Sequence, residues 1–171
     1  MKVLVVVDMQ NDFIDGSLGS VEAQKIVPKV KEKIHEYLQH GDKVLFTQDT
    51  HAEDYLQTQE GRNLPVKHCI KGTQGWQIQA DVVVPDAERF EKKAFGSIEL
   101  AQAIAEMTQV DSVELIGLCT DICVISNAMI LKARLPEIPV MVDASCCAGT
   151  TVENHRNALN AMRMCQVIVK E

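Results

Sequence analysis

Hydrophobic residues along this chain follow two patterns, short continuous runs and longer helical periods. Short aliphatic runs predict strands at residues 2–7, 43–47, 112–117, 139–142 and 166–169. The run at residues 2–7 is nearly continuous, as expected for a parallel strand that is buried on both faces. Shorter runs add two strand candidates, residues 81–84 and 88–91. A period of three to four residues predicts amphipathic helices at residues 22–40, 97–107, 121–134 and 151–164.

The order of these elements predicts the fold class. Strands and helices alternate along the chain, which favours a three-layer α/β/α, Rossmann-like architecture with a central, mainly parallel sheet of about six strands. A chain of 171 residues can bury one sizeable core but is short for two. We therefore expect a single domain over residues 1–171.

One long segment shows neither the continuous hydrophobic runs of strands nor the period of helices. Residues 49–75 show no clean period and contain Gly61, Pro65, Gly72 and Gly75. A connection of this length inside a compact domain is typical of a functional loop.

Composition narrows the choice of partners and compartment. The formal net charge of −7 argues against nucleic acid or an anionic membrane as the main partner, since both select a basic face. No apolar run is long enough to span a bilayer, and the start of the chain lacks the pattern of a secretory signal. We expect a cytoplasmic protein whose six cysteines are reduced thiols.

Polar side chains follow four of the predicted strands. Asp8, Asp49 and Cys123 lie just after strands, and a lysine pair, Lys92 and Lys93, follows another. Ligands of open parallel sheets bind beyond the carboxyl ends of the strands, so these groups are candidates for one site. Two adjacent lysines are commonly a solvated pair, but the phenylalanines on both sides of this pair indicate that one of them points inward.

Cys123 is the candidate nucleophile. The strand before it breaks at Gly117, and either Thr120 or Asp121 could be the N-cap of the next helix. Cys123 would then lie in the first helical turn, where free N–H groups and the helix dipole favour a thiolate over a thiol.

A metal site is the second candidate feature. Asp49 and His51 are two residues apart, so on an extended chain their side chains face the same way. His68 could complete the set, with Glu60 as a weaker fourth candidate. Taken alone, the Asp-x-His pair is a poor signal and favours a capped turn over a metal site.

Three motifs together resemble the isochorismatase-like cysteine hydrolases, the superfamily that includes nicotinamidases. They are Val7-Asp8-Met9-Gln10-Asn11-Asp12-Phe13, Lys92-x-x-Phe95-Gly96-Ser97 and Gly117-x-x-Thr120-Asp121-x-Cys123-Val124. The resemblance implies the catalytic residues Asp8, Lys92 and Cys123, because the lysine of this family lies three residues before an aromatic. It also implies a cis peptide bond before Cys119, and an oxyanion hole made by the N–H groups of Cys119 and Cys123.

The same resemblance implies a divalent metal. Nicotinamidases hold an ion on residues matching Asp49, His51 and His68, and zinc, iron and manganese all suit such a donor set. Some relatives have a further histidine shortly after the Asp-x-His pair, where this chain reads Ala52-Glu53-Asp54-Tyr55. The fourth ligand would then be Glu60 or water. We expect no organic cofactor and, from the habit of the family, a homo-oligomer.

The predicted activity is hydrolysis of a small carboxamide, with nicotinamide as the first choice. Cys123 would form a thioester, and Phe13, Phe95 and Trp76 would be walls of the substrate pocket. The alternatives are a sister amidase acting on a ureido, carbamoyl or other small amide, and a non-catalytic binding module on the same fold.

Overall fold

The computed structural model describes residues 1–171 and contains six strands, six α-helices and two short irregular helices. The strands are β1 Lys2–Val7, β2 Lys43–Asp49, β3 Glu88–Lys92, β4 Ser112–Leu118, β5 Val140–Ala148 and β6 Ile168–Lys170. The helices are α1 Asn11–Ile14, α2 Val21–Gln39, α3 Gln59–Asn63, α4 Ile98–Glu106, α5 Ile125–Arg134 and α6 Val152–Met164. A 3-10 helix covers Tyr55–Gln57, and a π-helical turn covers Thr120–Val124.

The strands form one sheet in the order β3-β2-β1-β4-β5-β6, and every neighbouring pair is parallel. The prediction of a mainly parallel six-stranded sheet is therefore confirmed. Strands β2 and β3 follow β1 on one side of it, and β4 then pairs with β1 on its other side. The strand order thus reverses between β1 and β4, which is where such sheets bind ligands.

Strand β1 contributes to two cores because its side chains alternate between the two faces of the sheet. Val3, Val5 and Val7 pack in a core completed by α4, α5 and α6, whereas Leu4 and Val6 pack in a second core under α2. All five side chains are fully buried. The continuous apolar run of β1 therefore reflects a strand covered by helices on both faces, as in the predicted three-layer architecture.

The helix starts follow local chemistry. The hydroxyls of Ser20, Ser97 and Thr151 each accept a hydrogen bond from the backbone N–H three residues later, and so cap α2, α4 and α6. The helical period predicted these three boundaries to within one residue.

The predicted strand at residues 81–84 is wrong. The Val82 N–H donates to the Gln79 carbonyl, and the Ala87 N–H donates to the Val84 carbonyl. These two turns use backbone groups that a strand would pair with a neighbour. Val82 is buried in the core under α2, which explains the apolar pattern without a strand.

None of the helices combines the length and the apolar character that crossing a membrane would require.

Gly117 lies where β4 passes closest to β1. Its φ is +114°, and a Cβ atom added to it would collide with the backbone carbonyl of Val7. Gly41, which follows α2, has a φ of +71° but open space around its missing Cβ. Only glycine therefore satisfies both the conformation and the spacing at residue 117.

These two glycines give a matched test of close packing at the centre of the sheet. We expect Gly41→Ala to lower the free energy of unfolding by about 1 kcal/mol, the cost of left-handed backbone for alanine. Gly117→Ala should lower it by about 2–5 kcal/mol, because overpacking against the β1 backbone adds to that strain. Urea unfolding of both variants measures the difference, and equal losses would show that the β1–β4 contact is not tight.

Candidate active site

Four side chains converge at the carboxyl ends of β1, β2, β3 and β4. The Lys92 Nζ lies 2.7 Å from the Asp8 Oδ2, 3.1 Å from the Asp49 Oδ1 and 3.5 Å from the Cys123 Sγ. Asp8, Lys92 and Cys123 are 0%, 3% and 5% exposed. Because a buried ammonium is costly unless it is paired, its two carboxylate partners explain how this lysine can lie inside the protein.

Strand alternation decides which of the two lysines enters the site. Lys92 ends β3 with its side chain buried, whereas its neighbours Glu91 and Lys93 are exposed. The β3 register pairs Lys92 with Asp49 of β2. The structure therefore places the inward lysine where the sequence analysis did.

The pKa values of these groups are set by burial and by one another. Burial raises the pKa of Asp8, and Lys92 only partly offsets this effect. Burial would lower the pKa of Lys92, but Asp8, Cys123 and Asp49 together raise it well above its usual range. Burial, followed by the Asp8 carboxylate, raises the pKa of the Cys123 thiol well above its usual range.

Burial acts against the thiolate that the helix end favours at Cys123. A position in the first helical turn does favour the anion, but full burial next to a carboxylate has the larger effect. Burial also raises the pKa of Asp8, which makes its carboxylate a stronger base and a candidate to take the Cys123 proton.

The turn that carries Cys123 starts at a cis peptide bond between Leu118 and Cys119, as the sequence analysis expected. Neither Thr120 nor Asp121 is the N-cap, so that prediction is wrong. Cys119 occupies the cap position, and its carbonyl accepts from the N–H groups of Ile122 and Val124. The Cys119 N–H donates none of the loop or cap hydrogen bonds.

Thr120 and Asp121 instead connect the turn to its surroundings. The Thr120 hydroxyl lies 2.7 Å from the Nδ1 of His155 on α6. The Asp121 carboxylate accepts from the N–H and hydroxyl of Thr150, with an N–O distance of 2.8 Å. The side chains that could have capped the helix therefore join it to the end of β5 and to α6.

Two buried side chains that support the catalytic candidates were missed from the sequence. The Thr47 hydroxyl donates to the Asp8 Oδ1 at 2.6 Å and accepts from the Asp8 N–H at 3.2 Å. The Asn127 amide donates to the Cys123 carbonyl at 2.8 Å and accepts from the Ser97 N–H at 2.9 Å. Both depend on contacts between distant segments, and no local sequence pattern signals such contacts.

The candidate metal ligands lie together beside the lysine. Ligand atoms of Asp49, His51 and His68 are all within 4.8 Å of one another, and all three residues are buried. The Asp49 Oδ2 lies 2.9 Å from the His51 Nε2 and 3.6 Å from the His68 Nε2. Glu60 is close enough to join them, since its Oε1 lies 3.6 Å and 3.8 Å from the same two nitrogens.

Two further observations show that this donor set fits a divalent metal. The His51 Nε2 is buried with no hydrogen-bond partner of acceptable geometry, despite its nearness to Asp49. The His68 Nδ1 lies 2.8 Å from the Val66 carbonyl, so that nitrogen holds the proton and leaves the Nε2 free as a ligand. Two imidazoles and a carboxylate suit zinc, iron or manganese.

Tyr55 is a third residue that the sequence analysis missed. Its ring is fully buried and packs against both imidazoles, with centroids 4.6 Å from His51 and 4.9 Å from His68. Its hydroxyl donates to the Leu64 carbonyl at 2.9 Å. The ring therefore fixes the planes of both candidate ligands.

A cavity of about 1260 Å³ opens onto these groups. Phe13 and Phe95 line it, together with Cys119 and Cys123, while the metal candidates and Glu60 form another part of its wall. Trp76 lies outside the lining, so its predicted role as a pocket wall is wrong. Its indole N–H donates to the hydroxyl of Thr50, a residue of the lining, at 2.9 Å.

Comparisons with known proteins agree with this geometry. The family model of the isochorismatase domain matches residues 2–171. The nicotinamidase/pyrazinamidase of Mycobacterium tuberculosis is 26% identical, over 98% of this chain and 97% of its own. The pyrazinamidase of Pyrococcus horikoshii, solved in complex with zinc, is 28% identical with a TM-score of 0.87 over 99% of this chain and 98% of its own. The N-carbamoylsarcosine amidase of Thermoplasma acidophilum is also 28% identical, with a TM-score of 0.84 over 99% and 95%.

The Thr47 hydroxyl should contribute more to stability than a neighbouring hydroxyl with neutral partners. Thr47→Val leaves a buried carboxylate oxygen of Asp8 without its donor, which should cost about 2 kcal/mol of unfolding free energy. Thr50→Val loses bonds only to the Gln48 carbonyl and the Trp76 indole, and should cost about 1 kcal/mol. Urea unfolding measures the loss of unfolding free energy in both variants. A smaller loss in Thr47→Val than in Thr50→Val would contradict the stabilising role of the Thr47–Asp8 hydrogen bond.

Protonation of His155 should weaken the fold. Burial lowers the pKa of its imidazole, and the opposing effect of the Asp121 carboxylate does not cancel this shift. The unfolded chain therefore binds a proton at His155 more readily than the folded protein does. The contribution of neutral His155 to the stability of the fold is complete above pH of about 6.5 and is lost as the pH falls through the lowered pKa. The stability advantage of the wild type over His155→Asn should shrink between pH of about 7.5 and 5. Urea midpoints that run parallel across this range would contradict the prediction.

Proposed function

The chain belongs to the isochorismatase family, and from that premise we propose that it is a cysteine amidohydrolase that converts nicotinamide into nicotinate and ammonia. The observation that carries the proposal is the buried group of Asp8, Lys92 and Cys123 behind a cavity with an Asp-His-His cluster in its wall. The nicotinamidase and pyrazinamidase relatives support amide hydrolysis as the reaction class.

The first half of the reaction uses Asp8 as the base. The raised pKa of this carboxylate suits it to take the proton of the Cys123 thiol as the sulfur attacks the amide carbonyl. When the tetrahedral intermediate collapses, the C–N bond breaks and Asp8 returns the proton to the departing ammonia. The product bound to Cys123 is a thioester.

The second half releases the acid. Asp8 takes a proton from water as the water oxygen attacks the thioester carbonyl. The C–S bond then breaks, and Asp8 returns the proton to the sulfur to regenerate the thiol. Lys92 stays protonated throughout because its pKa is raised well above its usual range. Its charge compensates the thiolate as that anion forms, which makes the transfer from a neutral thiol less costly.

The oxyanion of each tetrahedral intermediate would be held by the backbone N–H groups of Cys119 and Cys123. The uncommitted Cys119 N–H at the cis peptide bond supports this assignment. One donor of this kind typically contributes about 3 kcal/mol to transition-state stabilisation.

Substrate binding would involve the other wall of the cavity. Asp49, His51 and His68 would hold the metal, with Glu60 or water as the fourth ligand. When bound, the ion would act as a Lewis acid that binds a ring nitrogen of the substrate. Phe13 and Phe95 would contact the faces or edges of an aromatic ring.

Replacing the nucleophile provides the first test. Cys123→Ala should reduce ammonia release from nicotinamide by about 10⁴-fold or more, because the thioester can no longer form. Cys147→Ala is the control, since that thiol is equally buried but lies outside the cavity lining. Activity that survived in Cys123→Ala would exclude the covalent mechanism, and a wild type inactive on every amide would favour the non-catalytic binding module.

Removing the metal tests the substrate assignment. Ammonia release from nicotinamide should fall on treatment with a chelator and return when zinc, iron or manganese is added, with the best ion identifying the cofactor. Release that is unaffected by complete metal removal would contradict a role for the Asp49 cluster in binding the ring.

A ureido amide is the second candidate substrate, favoured by the similarity to the N-carbamoylsarcosine amidase. Measuring ammonia release from N-carbamoylsarcosine beside nicotinamide separates the two, since the ratio of kcat/KM values identifies the preferred class. Assembly as a homo-oligomer stays a prediction, which light scattering of the purified protein would test.

A further inference from the structure

The carboxylate of Asp49 serves two groups at once. Its Oδ1 lies 3.1 Å from the Lys92 Nζ, and its Oδ2 faces the Nε2 atoms of His51 and His68. A rotation or shift of this one side chain would therefore disturb both the ammonium and the metal candidates. The backbone that carries Asp49 has to be held accurately.

The β-ladder holds that backbone on one side only. On the β3 side, the register continues to Asp49 opposite Lys92. On the β1 side, the β1–β2 ladder ends at the pair Val6 and Phe46, three residues before Asp49. The backbone N–H and carbonyl of Asp49 therefore lack a strand partner on the side facing β1.

The side chain of Gln10 makes the hydrogen bonds that a neighbouring strand would otherwise make to the Asp49 backbone. Its Nε2 donates to the Asp49 carbonyl at 2.8 Å, and its Oε1 accepts from the Asp49 N–H at 2.7 Å. The second hydrogen of the same Nε2 is available for the Trp76 carbonyl, also at 2.8 Å. The side chain is fully buried, so water cannot substitute for it.

We propose that Gln10 is a positioning residue that fixes Asp49 for metal binding by pairing with its backbone as a strand would. This inference rests on the metal site of the proposed function. Gln10 contacts neither the candidate ligand atoms nor the cavity, so its effect reaches the metal only through Asp49. Residues that do not bind the metal but hydrogen-bond to a ligand residue commonly orient that ligand.

Gln48 offers a matched control in the same region. It is also a buried glutamine, and its Nε2 donates to the same Trp76 carbonyl at 2.9 Å. It makes no hydrogen bond to the Asp49 N–H or carbonyl. Replacing it removes a buried amide and a tether of the Trp76 loop while leaving the Asp49 backbone paired.

The experiment compares Zn²⁺ affinity in Gln10→Met and Gln48→Met by competition with a chromophoric chelator. We expect Gln10→Met to weaken binding by about 10- to 100-fold and Gln48→Met by less than about threefold. The visible spectrum of bound Co²⁺ should change in Gln10→Met alone, since that spectrum reports ligand geometry. If Gln10→Met does not fold, Gln10→Asn keeps a buried amide that is too short to reach both Asp49 groups and should show the same loss.

The outcomes separate this inference from the proposed function. Wild-type protein that binds no Zn²⁺ would overturn both. Wild-type binding together with unchanged affinity in the Gln10 variants, or an equal loss in Gln48→Met, would overturn the positioning role alone.

Discussion

The ammonium of Lys92 is the interaction on which the rest of the site depends. It is buried between the carboxylates of Asp8 and Asp49 and lies next to the Cys123 thiol. Without it, two acidic groups would face each other inside the protein, which is far more costly than burying a paired charge. The same cation links Cys123 and Asp8 to the metal candidates, so a single charge joins the two halves of the candidate site.

The sheet supplies these groups in a fixed arrangement. Each lies at or just beyond the carboxyl end of a different strand, and the parallel registers set their separation. Cys123 and Asp8, the candidate nucleophile and base, lie at the reversal of strand order between β1 and β4, while β2 and β3 add a candidate metal ligand and the lysine. Side chains with no part in the chemistry then hold this arrangement, as Thr47 does for Asp8 and Gln10 for Asp49.

The fold and the place of the polar residues at the strand ends could be predicted because their signals are local. A polar residue directly after a long apolar run, as at Asp8, is visible in the sequence alone. Partners such as Thr47, Tyr55 and Asn127 could not be predicted, because each acts on a segment distant along the chain. The raised pKa of the Cys123 thiol could not be predicted either, because burial is a tertiary property that the local pattern around the helix end does not signal. Trp76 was misplaced for the same reason, since a loop contact with Thr50 sets its ring.

The all-parallel sheet also determines when the site can form during folding. No neighbouring strands are joined by a hairpin, and Asp8 meets Lys92 and Cys123 only after loops of many residues have closed. Contacts of such high sequence separation slow folding and give partly folded chains no functional fragment. Cys123 therefore meets Asp8 and Lys92 only once strands β1 to β4 have paired, so the candidate active site forms late, together with the centre of the sheet.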